Sequence, residues 1–164
     1  MDFTIIINVV RGVKRCKMAY NKYHNKKTEK YNKIWDSEME LDFYENQCLP
    51  RLKSGEYISV ETQVTFILQK GFKIDGKNIL PIKYVADFVI TTKKGNKIIV
   101  DTKGYIGDNS FKLKWKMLVN LLKEEYKYYC IKGLGRNKRK GINYYPNWEK
   151  IKGVYSSKED LFSL

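Results

Sequence analysis

The chain has a single histidine, His24, and only three cysteines, Cys16, Cys48 and Cys130, spread over 164 residues. No C-x-x-C pair occurs, so neither a zinc cage nor a disulfide framework has the residues it needs. One histidine in a polar, basic stretch leaves a Ser-His-Asp or Cys-His mechanism without its base. Such sparse cysteine usage fits a reducing cytoplasm. Long apolar runs are missing as well. Residues 3–10 form one that is too short to span a bilayer, and its basic cluster follows the run, whereas a signal peptide carries charge ahead of it. No membrane partner is expected. Residues 3–10 read as an extra edge strand, or residues 1–17 as a gene-model extension ahead of a start at Met18. The glycine-rich stretch 132–141 lacks the G-K-[ST] ending of a phosphate-binding P-loop, so nucleotide hydrolysis is unsupported.

What the chain has in excess is positive charge: 32 Lys and Arg against 18 Asp and Glu, net +14. A surplus of that size answers to a polyanion, with nucleic acid ahead of an anionic membrane surface. Its distribution is uneven. Residues 1–35 carry 9 basic and 2 acidic side chains, residues 111–164 carry 13 and 5, and the centre, 36–110, carries 10 and 11. A nearly neutral middle that holds most of the carboxylates is thus flanked by two basic ends, as a phosphate-binding frame around an acidic site would be.

The length fits one domain with a real core, read as three parts. Residues 1–35 form a basic, partly mobile N-terminal arm, with Tyr20, Tyr23 and Tyr31 available for stacking. Residues 36–131 form the core. Residues 132–164 add a basic loop and an aromatic segment that packs on the core. A helix is expected from Ser37, where Ser37 and Glu40 make a capping-box pattern and Met39, Phe43, Tyr44 and Cys48 supply the apolar stripe. Pro50 is expected to end it. Residues 57–68 read as a strand, as do 84–92 and 97–103. A helix capped by Ser110 should run to about Glu125, with Leu113, Met117, Leu118, Leu121 and Leu122 buried and Lys112, Lys116 and Lys123 wet. Residues 126–131 form a last strand. The order α-β-β-β-α-β implies a mixed α/β fold with helices covering a central sheet.

The hairpin at the centre carries the chemistry. Lys93-Lys94-Gly95 suits a type I turn closed by a left-handed glycine. If Thr92 pairs with Asn96, Asp87 lies opposite Asp101 on one face of the sheet, at a Cβ separation of about 4.5–5.5 Å. Two facing carboxylates in apolar surroundings need either a raised pKa or a bridging cation. Lys103 projects from the same face two residues on, and beside a divalent ion its pKa should fall, which suits it to orient or deprotonate a water. Gly104 would let a phosphate approach the backbone. Hard oxygen ligands and few of them point to Mg2+, with Mn2+ as its substitute. The alternatives are a strand-end charge at Asp87 and a surface ion pair at Asp101 and Lys103.

Val85-Ala86-Asp87, followed after thirteen residues by Asp101-Thr102-Lys103, resembles the signature of the PD-(D/E)XK nuclease superfamily. The element order resembles its restriction-endonuclease-like core. More narrowly, residues 22–122 look like a phage- and prophage-encoded group known as a domain of unknown function. The shared stretches are NKYHNKKT, DSEME, QVTFIL and DTKG. The resemblance implies a metal-dependent DNA endonuclease, with branched or recombining DNA as a candidate substrate. In it Asp87 and Asp101 match the metal-binding acids, Lys103 the catalytic lysine, and Glu40 the carboxylate of the first helix. Glu38 stays open as the helix ligand, because a capping-box Glu40 already has a partner. Gln63 matches a glutamine that some members place beside the site. Ala86 departs from the frequent proline at a structural position. DNA is the expected partner, gripped by Lys112 and Lys116 of the second helix and by Arg136, Lys138, Arg139 and Lys140. The same lysines read equally as a solvated face, and residues 132–141 as a surface turn. A phage setting implies the bacterial host cytoplasm. Cutting two strands would favour a symmetric homodimer. A non-catalytic nucleic-acid-binding protein on the same fold is the competing reading.

Overall fold

A computed structural model describes residues 27–139 and 142–163, with the side chains of 138–143 excepted. The readings made on residues 1–26 lie outside the described residues. The fold is mixed α/β. Its main sheet has five strands in the order β11-β8-β7-β6-β3, where β3 is Tyr57–Gln69, β6 Ile82–Thr92, β7 Lys97–Thr102, β8 Tyr126–Leu134 and β11 Asn147–Lys150. Only β7 and β8 run parallel, joined by helix α3 (Asn109–Leu122). Three short hairpins are appended: β1–β2 (Thr28–Lys30 and Lys33–Trp35), β4–β5 (Phe72–Ile74 and Lys77–Ile79) and β9–β10 (Asn137–Arg139 and Ile142–Tyr144).

Strand alternation sorts the sheet's side chains into two cores. Ile98, Val100, Tyr129 and Ile131 face the first helix with Leu41, Phe43 and Cys48, and Trp35 joins them. Ile99, Tyr128 and Cys130 face α3 with Trp115, Leu118 and Leu122. The helices therefore cover opposite faces, as three-layer packing around a sheet requires.

Several expectations need correction. The first helix does not end at Pro50. It runs as α1 (Glu38–Phe43), a π turn over Tyr44–Cys48, and α2 (Leu49–Ser54), with helical dihedrals throughout. The π turn widens the ladder where Pro50 has no N–H to give, which removes the usual cost of an internal proline. Asp108, not Ser110, caps α3, its carboxylate accepting from the Ser110 N–H at 2.8 Å. On α3 the buried stripe is Trp115, Leu118 and Leu122, while Leu113 and Leu121 are 61% and 48% exposed. The aromatic bulk of Trp115 sets the helix rotation, and its indole N–H donates to the Tyr155 carbonyl at 2.8 Å.

Residues 28–35 are not a featureless arm either. They form β1–β2, and Trp35 inserts against Tyr44 and Phe88. Tyr31 rests edge-on against Tyr44 and donates to Glu45. At the C-terminal end, β11 adds a fifth strand beyond the expected last one. Tyr145 is buried, and its N–H donates to Asp42 at 3.3 Å, tying this segment to α1.

Candidate active site

The 93–95 turn forms as expected: Gly95 has φ +85°, and the Thr92 N–H donates to the Asn96 carbonyl at 3.0 Å. Four pairs follow in the anticipated register, ending at Phe88↔Val100. There the regular ladder stops, one rung before the acids.

The reason lies in the neighbouring strand. Gln63 of β3 has φ +56°, a left-handed conformation inside a strand, while its flanks pair as Thr62↔Phe88 and Val64↔Ala86. Across this kink both strands exchange faces. Val60, Phe88 and Ile90 pack toward α1, yet Val64, Phe66, Tyr84 and Ala86, of the same parity, pack toward α3. Gln63 and Asp87 sit at the crossover. Strain of this kind in a non-glycine residue persists only where surrounding structure holds it, and it concentrates at functional sites.

Asp87 consequently does not simply face Asp101. Its Oδ2 accepts from the Thr102 N–H at 2.8 Å and from the Thr102 hydroxyl at 3.0 Å, taking the place of the next ladder bond. Asp101, at the carboxyl end of β7, is held from two sides. The Tyr84 hydroxyl donates to its Oδ2, and the Lys103 ammonium pairs with its Oδ1. Lys103 also reaches Asp87 Oδ2 at 3.9 Å. A cation does lie between the two acids, and in the isolated chain it is the ammonium of Lys103. The same ammonium stands 5.4 Å from the centroid of the Phe111 ring, on α3. Phe111 and Trp115 in turn flank Tyr84.

Glu40 approaches from α1. The Ser37 hydroxyl accepts from the Glu40 N–H at 3.1 Å and donates to Glu40 Oε1 at 2.9 Å, while Gln63 Nε2 donates to Oε2 at 3.1 Å. This is not the reciprocal capping box, in which the glutamate would accept from the serine N–H. The carboxylate is instead held by its partners within the field of the site. The charge of Glu38 bears on Tyr145. Of the two candidates, Glu40 is the one the fold brings to Asp87 and Asp101.

Electrostatically the cluster is short of positive charge. Burial and then the neighbouring Asp101 push the Asp87 carboxyl well above the usual carboxylate range. Burial likewise raises Asp101, against the pull of Lys103 and Tyr84, and raises Glu40, against the Ser37 hydroxyl. For Lys103 burial works against the charged form, but Asp101 and Asp87 more than offset it. Its pKa therefore rises, where a fall beside a divalent ion had been expected. Both statements are compatible, because an added ion would take over the role of counter-charge to the acids.

The donor set consists of hard carboxylate oxygens, the chemistry Mg2+ prefers. Among the described residues no three ligand-type side chains are already gathered around one point. Mg2+ does not require that, since it binds through one or two carboxylates and keeps several waters. Asp101 Oδ1, paired with the Lys103 ammonium, and Asp87 Oδ1, the oxygen that Thr102 does not take, fit that mode. Both acids are buried, and at Gly104 the backbone itself can be approached, since a Cβ there would meet nothing nearer than Met39 Cε, at 4.0 Å.

Three of the six expected DNA grips, Lys112, Lys116 and Arg136, have described side chains. Lys112 is half-buried and Lys116 exposed on α3, and Arg136 is exposed beyond β8. The side chains of Lys138, Arg139 and Lys140 lie outside the described residues. Lys132 pairs with Glu149 at 2.8 Å. Sequence reading missed Tyr84 altogether. Plain alternation puts it on the face opposite Asp87, and no local signal announces the crossover that brings it to Asp101.

A family model described as "Protein of unknown function (DUF1064)" matches residues 20–147. No curated protein and no solved structure matches the chain. With well over half of its length matched, the chain belongs to the DUF1064 family of proteins of unknown function.

Proposed function

We propose that the chain is a metal-dependent endonuclease that hydrolyses DNA phosphodiester bonds, with Asp87, Asp101 and Lys103 as catalytic residues and Glu40 beside them. One observation carries the reading. The kinked β6 and the end of β7 bring two buried carboxylates and a lysine together where the sheet is locally strained, and α1 holds a third carboxylate, Glu40, near enough for its charge to bear on them. The cost is considerable, since buried like charges repel, and a protein selected for stability alone has no use for it. A net charge of +14 supplies the attraction for a phosphodiester backbone. The likeness to the PD-(D/E)XK signature supports the same reading, and with it a bacterial cytoplasmic setting of phage origin. No described helix is long and apolar enough to cross a membrane.

Asp87 and Asp101 would hold Mg2+, or Mn2+ in its place. When bound, the ion supplies polarisation of the scissile phosphate and a water of lowered pKa. The chain's own groups do the rest. Thr102 fixes Oδ2 of Asp87 and does not engage Oδ1. Tyr84 fixes Oδ2 of Asp101 and leaves Oδ1 toward Lys103. Released from Asp101, the Lys103 ammonium can orient the attacking water or neutralise charge on the phosphoryl oxygens. Glu40, held by Ser37 and Gln63, is placed to accept a hydrogen bond from a water in the site.

Supercoiled, linear and four-way-junction DNA, each incubated with Mg2+, with EDTA, and with Lys103→Ala, test the proposal. Cleavage that needs both the ion and the lysine is expected. Substrates that all stay intact refute it. One observation favours a second reading, a non-catalytic nucleic-acid-binding protein: Lys103 already closes on Asp101 as a finished ion pair.

A further inference from the structure

Between β3 and β6 lies a segment that the proposed chemistry does not use. The pairs Phe72↔Ile79 in the β4–β5 ribbon and Gln69↔Ile82 at the end of the main sheet share one register. The ribbon therefore extends the β3–β6 hairpin in one register, and its exposure shows that it is not packed on the core. Its base is marked by Gly71 and Pro81. Proline has no N–H for the ladder, and a Cβ at Gly71 would come within 3.0 Å of the Ile79 carbonyl oxygen. Every residue from 71 to 80 is exposed. At about 3.3 Å per residue, the chain from Gln69 to the tip at Asp75–Gly76 can reach about 20 Å.

The direction of the ribbon matters. β6 enters the sheet from it and reaches Tyr84 and Asp87 within its first half, while antiparallel β7 leaves the sheet at Asp101 and Thr102. The ribbon thus projects from the end of the sheet that carries the acids. Lys70, Lys73, Lys77 and Lys83 lie on or beside it against one acid, Asp75. None of these four lysines makes an ion pair among the described residues. Phe72, Ile74 and Ile79 share one face by register and alternation and are 48%, 54% and 39% exposed, with Leu80 more open still at 79%.

A two-stranded ribbon standing alone is marginal in water, and exposed apolar side chains ringed by cations mark a contact surface. Charge decides the occupant. A second copy would bring the same unpaired lysines against these, at a cost in repulsion. Duplex DNA instead neutralises them, and its major groove admits a two-stranded β-ribbon. Apolar side chains in that groove meet the thymine methyl groups. We infer that residues 70–83 form a nucleic-acid-binding arm, with the lysines on backbone phosphates and Phe72, Ile74 and Ile79 against the bases of the duplex flanking the site. This rests on the reading that the acidic end of the sheet receives DNA.

Binding of the full chain to a labelled duplex and to a four-way junction, followed by anisotropy in EDTA over a salt series, tests the arm without any cleavage. Lys70→Ala/Lys73→Ala/Lys77→Ala should weaken binding at least tenfold. It should also lower the log–log salt slope by roughly 0.9 for each phosphate that the variant no longer neutralises. Phe72→Ala/Ile79→Ala should weaken binding with the slope unchanged, and both variants should melt within a few degrees of wild type, since they touch no core. Unchanged affinity in both variants overturns the inference, as does wild type that binds no DNA. So does an apolar variant that turns a dimer into a monomer in sedimentation while keeping full DNA affinity. Cleavage with Mg2+ is read separately. Wild type that binds through the ribbon and never cuts refutes the nuclease and leaves the arm. Wild type that cuts while the ribbon variants bind normally refutes the arm and leaves the nuclease.

Discussion

Replacing Asp87 with asparagine should make the metal-free protein more stable, although it removes a residue placed at the centre of the chemistry. An asparagine carbonyl oxygen can accept both bonds from Thr102 that Asp87 Oδ2 now takes at 2.8 and 3.0 Å. What changes is the charge. Attraction to Lys103 at 3.9 Å is worth about 4 kcal/mol at an effective dielectric of 20, and the substitution loses it. Burial, repulsion from Asp101 and repulsion from Glu40 together exceed that attraction, since the carboxyl is held well above its usual range. The net gain expected from asparagine is about 1–2 kcal/mol, or about 2–8 °C in Tm for a domain of this size. The pH dependence gives the sign. A carboxyl whose folded pKa is raised contributes stability below its unfolded pKa and loses it as pH rises through the folded value. Wild type and Asp87→Asn should therefore melt together near pH 4 and separate as pH increases, the variant above. Thermal denaturation in EDTA from pH 4 to pH 8 reads this directly. Addition of Mn2+ should then raise the wild-type Tm and leave the variant's unchanged. A variant less stable than wild type by the same amount at every pH would refute the reasoning. Asp87 would then serve only to tie β6 to Thr102.

Lys103→Ala strands a buried Asp101 oxygen, and the partly exposed lysine makes the expected loss about 1–3 kcal/mol in EDTA; urea unfolding measures it, and Mn2+ should restore part. Its cleavage rate should fall by about 10²–10⁴-fold if the lysine moves or orients a proton. Asp42, buried where α1 meets Tyr145, has its pKa pushed up to about 6 by burial, against the Tyr145 and Asn46 hydrogen bonds. Stability should accordingly drop by at most about 3 kcal/mol between pH 4 and pH 6 from this residue, and Asp42→Asn should flatten that part of the profile in pH-dependent urea unfolding. On α3, Trp115→Ala should cost about 3–5 kcal/mol, while Leu113→Ser, at a 61% exposed position, should stay within about 0.5 kcal/mol; the opposite ranking by chemical denaturation would overturn the rotation that buries Trp115.

The central hairpin was legible because its information is local. Lys93-Lys94-Gly95 dictates a turn type, the turn dictates a register, and the register places Asp87 near the end of β7 before any tertiary contact is considered. Charge segregation was legible for the same reason, being a sum over residues. The order of helices and strands followed from apolar periodicity. Periodicity failed where one large side chain outweighs several small ones: Trp115 rotates α3 and leaves Leu113 and Leu121 in water. It failed again at Pro50, whose missing donor is absorbed by a π turn that only the packed helix reveals.

Charge, turn chemistry and the spacing from Asp87 to Lys103 belong to the sequence itself, because each depends on neighbours along the chain. The crossover at Gln63 and Asp87 belongs to the tertiary structure. A change of sheet face leaves no trace in alternation, which assumes that a strand keeps its faces throughout. That crossover alone brings Tyr84 to Asp101, turns Asp87 onto Thr102, and sets Gln63 against Glu40. It also sets the Lys103 ammonium against both acids.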